Sequence, residues 1–144
     1  MEADDAAVTQ VPYETAHISE IRTPAESGPD EAEWKPIRAR FGIASFGANA
    51  YMARAAGQAV IEEHSETVDS ETQHEELYFV LAGAATFRVA DDEIDAPAGT
   101  FVYVRDPAVR RSALARTAST TVIVFGGQPG RAFAISPWEQ KYVE

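Results

Sequence analysis

The chain contains no cysteine, which removes disulfides, thiolate metal ligands and a cysteine nucleophile together. Lysine is nearly as scarce: there are two, against ten arginines, a skew we attribute to codon composition. No apolar run approaches the roughly 18 residues that a membrane-spanning helix needs. The leading segment MEADDAAVTQ lacks the basic and apolar regions of a secretory signal. Positive charge is in deficit, with 12 basic against 23 acidic residues and a net charge of −11 at pH 7. That balance speaks against nucleic acid or an anionic membrane as the partner, since both are polyanions. The G-x-S-x-G elbow, the phosphate-cradling glycine loop and H-E-x-x-H are also missing. What remains is a cytoplasmic protein with a small-molecule partner. Its 144 residues suit one domain, with core enough to need no covalent staple.

The charge is uneven. Residues 1–36 carry nine acids and two bases, a net of −7, along with Pro12, Pro24, Gly28, Pro29 and Pro36. We read 1–36 as an acidic arm and linker, with 23–33 as loop or disordered chain. Within it Val11, Tyr13, Ile18 and Ile21 offer an apolar side that can pack on the domain or on a second subunit. His17, alone in the arm, reads as an ordinary surface residue.

Beyond residue 36 short Val-, Ile-, Phe-, Tyr- and Thr-rich runs alternate with Gly, Asp and Pro. The spacing predicts strands over 38–46, 51–55, 59–64, 76–81, 85–89, 93–96, 100–104, 110–115 and 120–125. This is an all-β pattern, a sandwich or barrel over 37–127, followed by a C-terminal segment at 128–144 that packs on it. In that segment Ser136-Pro137-Trp138-Glu139 reads as a helix start. Ser136 can cap, Pro137 suits the first position, Glu139 can reach back to the cap, and Trp138 supplies an apolar anchor. Phe41, Phe46, Tyr78, Phe79, Phe87, Phe101, Tyr103 and Phe125 read mostly as core or subunit interface.

The stretch from Gly57 to Leu114 carries two spaced patterns. In the first, Gly57 is followed after six residues by His64-Ser65-Glu66, then after nine by Glu76, then LYFVLA and Gly83. In the second, Gly99 is followed by TFVYV, Arg105-Asp106-Pro107, Ala108-Val109, Arg110 and, four positions on, Leu114. Together they resemble the cupin family, whose members fold as a small antiparallel jelly-roll barrel. The Glu-x6-Gly half of the first motif is complete. Glu66 stands for the family's second histidine, Arg110 for its third, and Leu114 for the asparagine.

The resemblance implies a site inside the barrel. In the family three histidines and a glutamate hold a divalent metal; imidazole and carboxylate accept iron, manganese, nickel or zinc. Carried over, His64, Glu66 and Glu76 are the candidate ligands, and His74, two residues before Glu76, shares its face and is a candidate substitute. Glu75, adjacent to Glu76, faces the opposite side. Arg110 changes the expectation. An arginine is a permanent cation with no free lone pair. Pointing inward, it would repel a dication and pair with Glu66 or Glu76.

The charge distribution fits this. Residues 62–76 hold seven acids and no Lys or Arg, whereas 105–116 hold four arginines and one acid. Glu62, Glu63, Asp69 and Glu71 read as a solvated face. Tyr78 and, from the neighbouring strand, Tyr103 would supply hydroxyls to the pocket.

We therefore expect a small-molecule-binding cupin with an incomplete metal site. In it Arg110, Glu76, Tyr78 and Tyr103 hold an anionic ligand, with no cofactor assigned and catalytic residues unassigned. The alternatives are a metal-dependent enzyme of dioxygenase or isomerase type, using His64, Glu66, His74 and Glu76, and a structural or interaction protein whose site is closed by Arg–Glu pairs. The family also implies a homodimer.

Overall fold

The computed structural model describes residues 11–24, 30–67 and 73–143. Among the described residues nine strands form two antiparallel sheets: β1 Glu33–Lys35, β2 Gly47–Met52, β3 Ala59–His64, β4 Glu75–Ala82, β5 Ala84–Val89, β6 Asp92–Pro97, β7 Phe101–Val104, β8 Arg111–Ala115 and β9 Thr121–Gly127. One sheet runs β1-β2-β9-β4-β7, the other β3-β8-β5-β6. Strands distant in sequence pair across each sheet while β5 and β6 form the local hairpin, which is jelly-roll topology. Among the described residues no helix is long and apolar enough to cross a membrane.

The core is the space between the inner faces. Strand alternation sends Tyr78 and Val80 of β4, Val102 and Val104 of β7, Val122 and Val124 of β9, and Ala85 and Phe87 of β5 inward. Tyr78 meets Phe87 edge-on at 5.5 Å. Phe46, Phe101, Tyr103 and Phe125, by contrast, are exposed and do not belong to the core. The Glu-x6-Gly glycine has a physical reason. Gly83 adopts φ +75°, and a Cβ there would stand 2.8 Å from Thr120 Cα.

Three expectations are corrected. The stretch 38–46 is not a strand: Ile37–Phe41 forms a helical turn, α1, ended by Gly42 in the left-handed region. Its apolar Ile37 and Phe41 stand four apart, a helical rather than an extended spacing. The arm at 1–36 contains a strand, since β1 pairs with β2 through Trp34↔Tyr51 and extends the sheet. The C-terminal helix, α2 Pro137–Val143, forms where expected, but Glu139 does not cap it. Its carboxylate accepts from Arg38 Nε at 3.0 Å instead.

In the arm Ile21 is buried, with its carbonyl accepting from Lys35 Nζ at 3.0 Å, while Val11 and Tyr13 are exposed. His17 is exposed and caps a single 3₁₀ turn at Ile18–Glu20. The linker reading of 23–33 falls in part on residues 25–29, outside the described residues, as do Asp69 and Glu71.

Candidate functional site

Between the sheets lies a cavity of about 1170 Å³, edged by α2 and the chain before β1. The end of β3, the loop after it and the start of β4 converge on its wall. His64 closes β3, opposite Arg111 in the register. Glu76 is the first inward residue of β4, and Tyr78 the next.

The contacts are short and connected. His64 Nε2 lies 2.9 Å from Glu66 Oε2 and 3.7 Å from Glu76 Oε1. The other ring nitrogen, Nδ1, is 2.8 Å from the Glu62 carbonyl, which fixes the ring with Nε2 toward the carboxylates. Glu76 Oε1 also accepts from the Tyr78 hydroxyl and, at 2.9 Å, from Arg111 Nη1. His74 is buried on the same wall, its Nδ1 3.7 Å from Glu66 Oε1 and its ring stacked on Phe133 at 5.3 Å. Its Nε2 is buried without a hydrogen-bond partner.

Of the expected site residues, His64, Glu66, His74, Glu76 and Tyr78 all line the cavity. Arg110 does not. It is 60 % exposed and pairs at 3.3 Å with Glu63, itself more than half exposed. The inward guanidinium belongs to Arg111, which is fully buried and which the motif spacing missed. β8 starts at Arg111, so alternation puts Arg111, Ala113 and Ala115 inside and leaves Arg110 out. Arg111 is also spent within the protein, since Nε donates to the Val109 carbonyl at 2.8 Å and Nη2 to that of Asp106 at 3.3 Å. Tyr103 is corrected too: it lies on the outer face, its hydroxyl donating to Glu75. Glu75 and Glu76 face opposite sides of β4, as adjacent strand residues must.

The electrostatics follow from this packing. Burial alone would lower the His64 pKa, but the bond to Glu66, the nearby Glu76 and the Glu62 carbonyl outweigh it and raise it to about 10. Burial would raise Glu76, but His64, Tyr78 and Arg111 hold it below the usual carboxylate range. Burial, then the Glu76 charge, pushes Tyr78 well up. Burial, then the charges of Glu76, Glu139, Glu66 and Glu62, does the same to Tyr51.

A folded-state pKa of about 10 against 6.5 makes protonated His64 stabilising. That contribution is complete below pH 6.5 and disappears as pH rises through about 10. In EDTA-treated protein the urea midpoint should fall across this window, and His64→Gln should flatten the fall. Parallel profiles for the two proteins would show that His64 does not carry the proton.

The donor set fits a divalent metal. One atom each from His64, Glu66 and Glu76 lie within 4.8 Å of one another, and the buried Arg111 guanidinium reaches the edge of this set, its Nη1 2.9 Å from Glu76 Oε1. An imidazole with two carboxylates is a mixed nitrogen and oxygen set that suits manganese, iron, nickel or zinc.

No protein-family model matches the chain, and no curated protein matches it. Solved structures do. A cupin protein from Bacteroides fragilis is 14% identical, over 88% of this chain and 93% of that one, with a TM-score of 0.59. A sugar phosphate isomerase of the cupin superfamily from Silicibacter pomeroyi is 16% identical, over 80% of this chain and 76% of that one, with a TM-score of 0.63. An RmlC-like cupin protein from Desulfovibrio desulfuricans is 17% identical, over 79% of this chain and 96% of that one, with a TM-score of 0.57. At such identities the likeness speaks for architecture, and the architecture is the cupin fold.

Proposed function

We propose that the chain is a metal-dependent, small-molecule-binding cupin in which His64, Glu66 and Glu76 hold a divalent transition metal at the cavity wall. The observation that carries this reading is the convergence of those three donors within 4.8 Å on a cavity. The proton on His64 supports it, because two carboxylates and an aimed imidazole make a spot that favours a cation, and a dication competes with that proton. The anionic-ligand expectation rested on Arg110, which is outside. Its replacement, Arg111, has its donors on Glu76 and backbone carbonyls.

A bound metal would supply Lewis acidity to an oxygen of the small molecule. The chain's own residues would orient the donor set: Arg111 and Tyr78 fix Glu76, and the Glu62 carbonyl fixes His64. The Silicibacter pomeroyi protein's sugar phosphate does not carry over well. The cavity lining has no Lys or Arg among the described residues, so a phosphate would find no fork to receive it.

Elemental analysis of untagged protein should find one transition metal per chain, or the stripped protein should take up Mn²⁺, Ni²⁺ or Zn²⁺ in calorimetry. His64→Ala and Glu76→Gln should each weaken uptake by about 100-fold, while Arg110→His leaves it unchanged. No metal and no binding heat would overturn the metal. The second reading would then stand: His64 and Glu66, 2.9 Å apart, act as a proton-transfer pair on a ligand bound without metal.

A further inference from the structure

We propose that the end of the cavity away from Glu76 is a subsite for a small organic cation, a protonated amine or a quaternary ammonium group. This rests on the cavity being a binding site and is independent of whether a metal is held.

The register places the subsite. Glu76 pairs with Gly126, which pairs with Gly47. Four residues along β4, Val80 pairs with Val122, then comes Tyr51 on β2 and Trp34 on β1. At ~3.3 Å per residue that row lies on the order of 13 Å from the Glu76 row. Trp34 turns into the cavity, its Nε1 donating to Asn49 Oδ1 at 2.8 Å. Trp138 of α2 leans on it, ring centroids 5.0 Å apart and planes at 50°, and is itself 46% exposed. Two strands and the C-terminal helix thus build an aromatic corner on the cavity wall, with one indole open.

The charge of the wall selects the ligand. Six carboxylates line the cavity, those of Glu31, Glu62, Glu63, Glu66, Glu76 and Glu139. Glu63, Glu76 and Glu139 are matched by Arg110, Arg111 and Arg38. Glu66 meets the His64 ring at 2.9 Å, whereas Glu31 and Glu62 have no Lys or Arg partner among the described residues, of which no Lys or Arg lines the space. After burial, Glu76 and then Glu139, Glu66 and Glu62 raise the pKa of Tyr51, so the carboxylates of the wall act on its hydroxyl. An anion is repelled there, and a neutral molecule leaves the carboxylates unmatched. A cation is attracted both by the carboxylates and by the indole face.

The chain has two tryptophans, and both stand at this corner, so its indole fluorescence reads the subsite directly. Choline is the probe, 3,3-dimethyl-1-butanol its neutral isostere, and acetate the anionic control. The titrations use EDTA-treated and Mn²⁺-loaded full-length protein, with metal content measured on the same samples. Choline should change the emission saturably and bind at least about tenfold tighter than the isostere. Glu31→Gln with Glu62→Gln, both exposed residues, should remove most of that preference and leave the isostere's affinity alone. Trp138→Leu should weaken choline severalfold. Equal affinity for choline and the isostere, a preference for acetate, or no saturable change with choline would each overturn the proposal. Metal uptake without choline binding would sink the subsite and leave the metal reading intact. Choline binding without metal uptake would do the reverse.

Discussion

Replacing Arg111 with methionine should destabilise the protein by about 3–5 kcal/mol, whereas Arg110→Met should change stability by less than about 0.5 kcal/mol. The neighbours differ by one position in sequence and by everything in environment. Arg111 has no exposed surface and makes three hydrogen bonds, to Glu76, Val109 and Asp106. Methionine fills similar volume but leaves the Glu76 carboxylate without its cation and two carbonyls without donors. The cost comes from those orphaned acceptors rather than from a lost attraction. Arg110 meets Glu63 where both side chains are more than half exposed, and such a pair contributes little.

Urea denaturation at pH 7 separates the two, and thermal midpoints should follow, with a fall of roughly 10 °C for Arg111→Met. Arg111→Met with Glu76→Leu should recover most of the loss, because an apolar pair can replace a buried ionic one. A costly Arg110 and a neutral Arg111 would mean that β8 is in the opposite register.

That one-residue distinction marks where the sequence stops being legible. The strand over 59–64 reads directly from its β-branched run and its flanking Gly57, and β4 through β6 from alternation and turn residues. β8 is harder, because its inward positions hold Arg111, Ala113 and Ala115 while apolar Leu114 is half exposed. Hydropathy there points the wrong way. Counting from Gly99 placed Arg110 inward, but a turn intervenes, with Val109 N–H donating to the Asp106 carbonyl at 3.1 Å and Ala108 N–H to its carboxylate at 2.9 Å. The buried partner of Glu76 decides the register, and no local pattern encodes it.

The same holds for β1. Three residues between acidic chain and Pro36 carry no strand signal of their own. They become a strand because β2 offers an edge and Trp34 finds Asn49 and Trp138. The metal candidates were legible from their spacing in the motif, with His64 and Glu76 on β3 and β4 and Glu66 and His74 in the chain between those strands. The aromatic corner was not, because its members come from opposite ends of the chain.

The joining of those ends predicts the second large effect. Glu139→Ala should cost about 3–5 kcal/mol and release α2 from the barrel. Glu139 is 3% exposed and Arg38 7%. Arg38 Nε donates to Glu139 Oε2 at 3.0 Å, and its Nη1 donates to the Ile43 carbonyl at 3.1 Å. Alanine removes the carboxylate and strands the guanidinium in a site that solvent does not reach, where an unmatched charge is far more costly than a missing contact. Arg38→Met should be comparably harmful, since it leaves Glu139 as the stranded charge. The double variant Arg38→Met with Glu139→Leu should be closer to wild type than either single one, and the cycle should give a coupling well above 1 kcal/mol.

Limited proteolysis supplies the structural half of the test. With Glu139→Ala, cleavage before Pro137 should accelerate, and Trp138 should lose its place on Trp34 and shift its emission to the red. A cost below about 1 kcal/mol with unchanged cleavage would mean that the pair is solvated and that α2 is held by the indole contact alone. Because Trp138 and Glu139 both line the cavity, the release of α2 should also open the aromatic corner, so that the Arg38–Glu139 pair governs what that part of the pocket can hold.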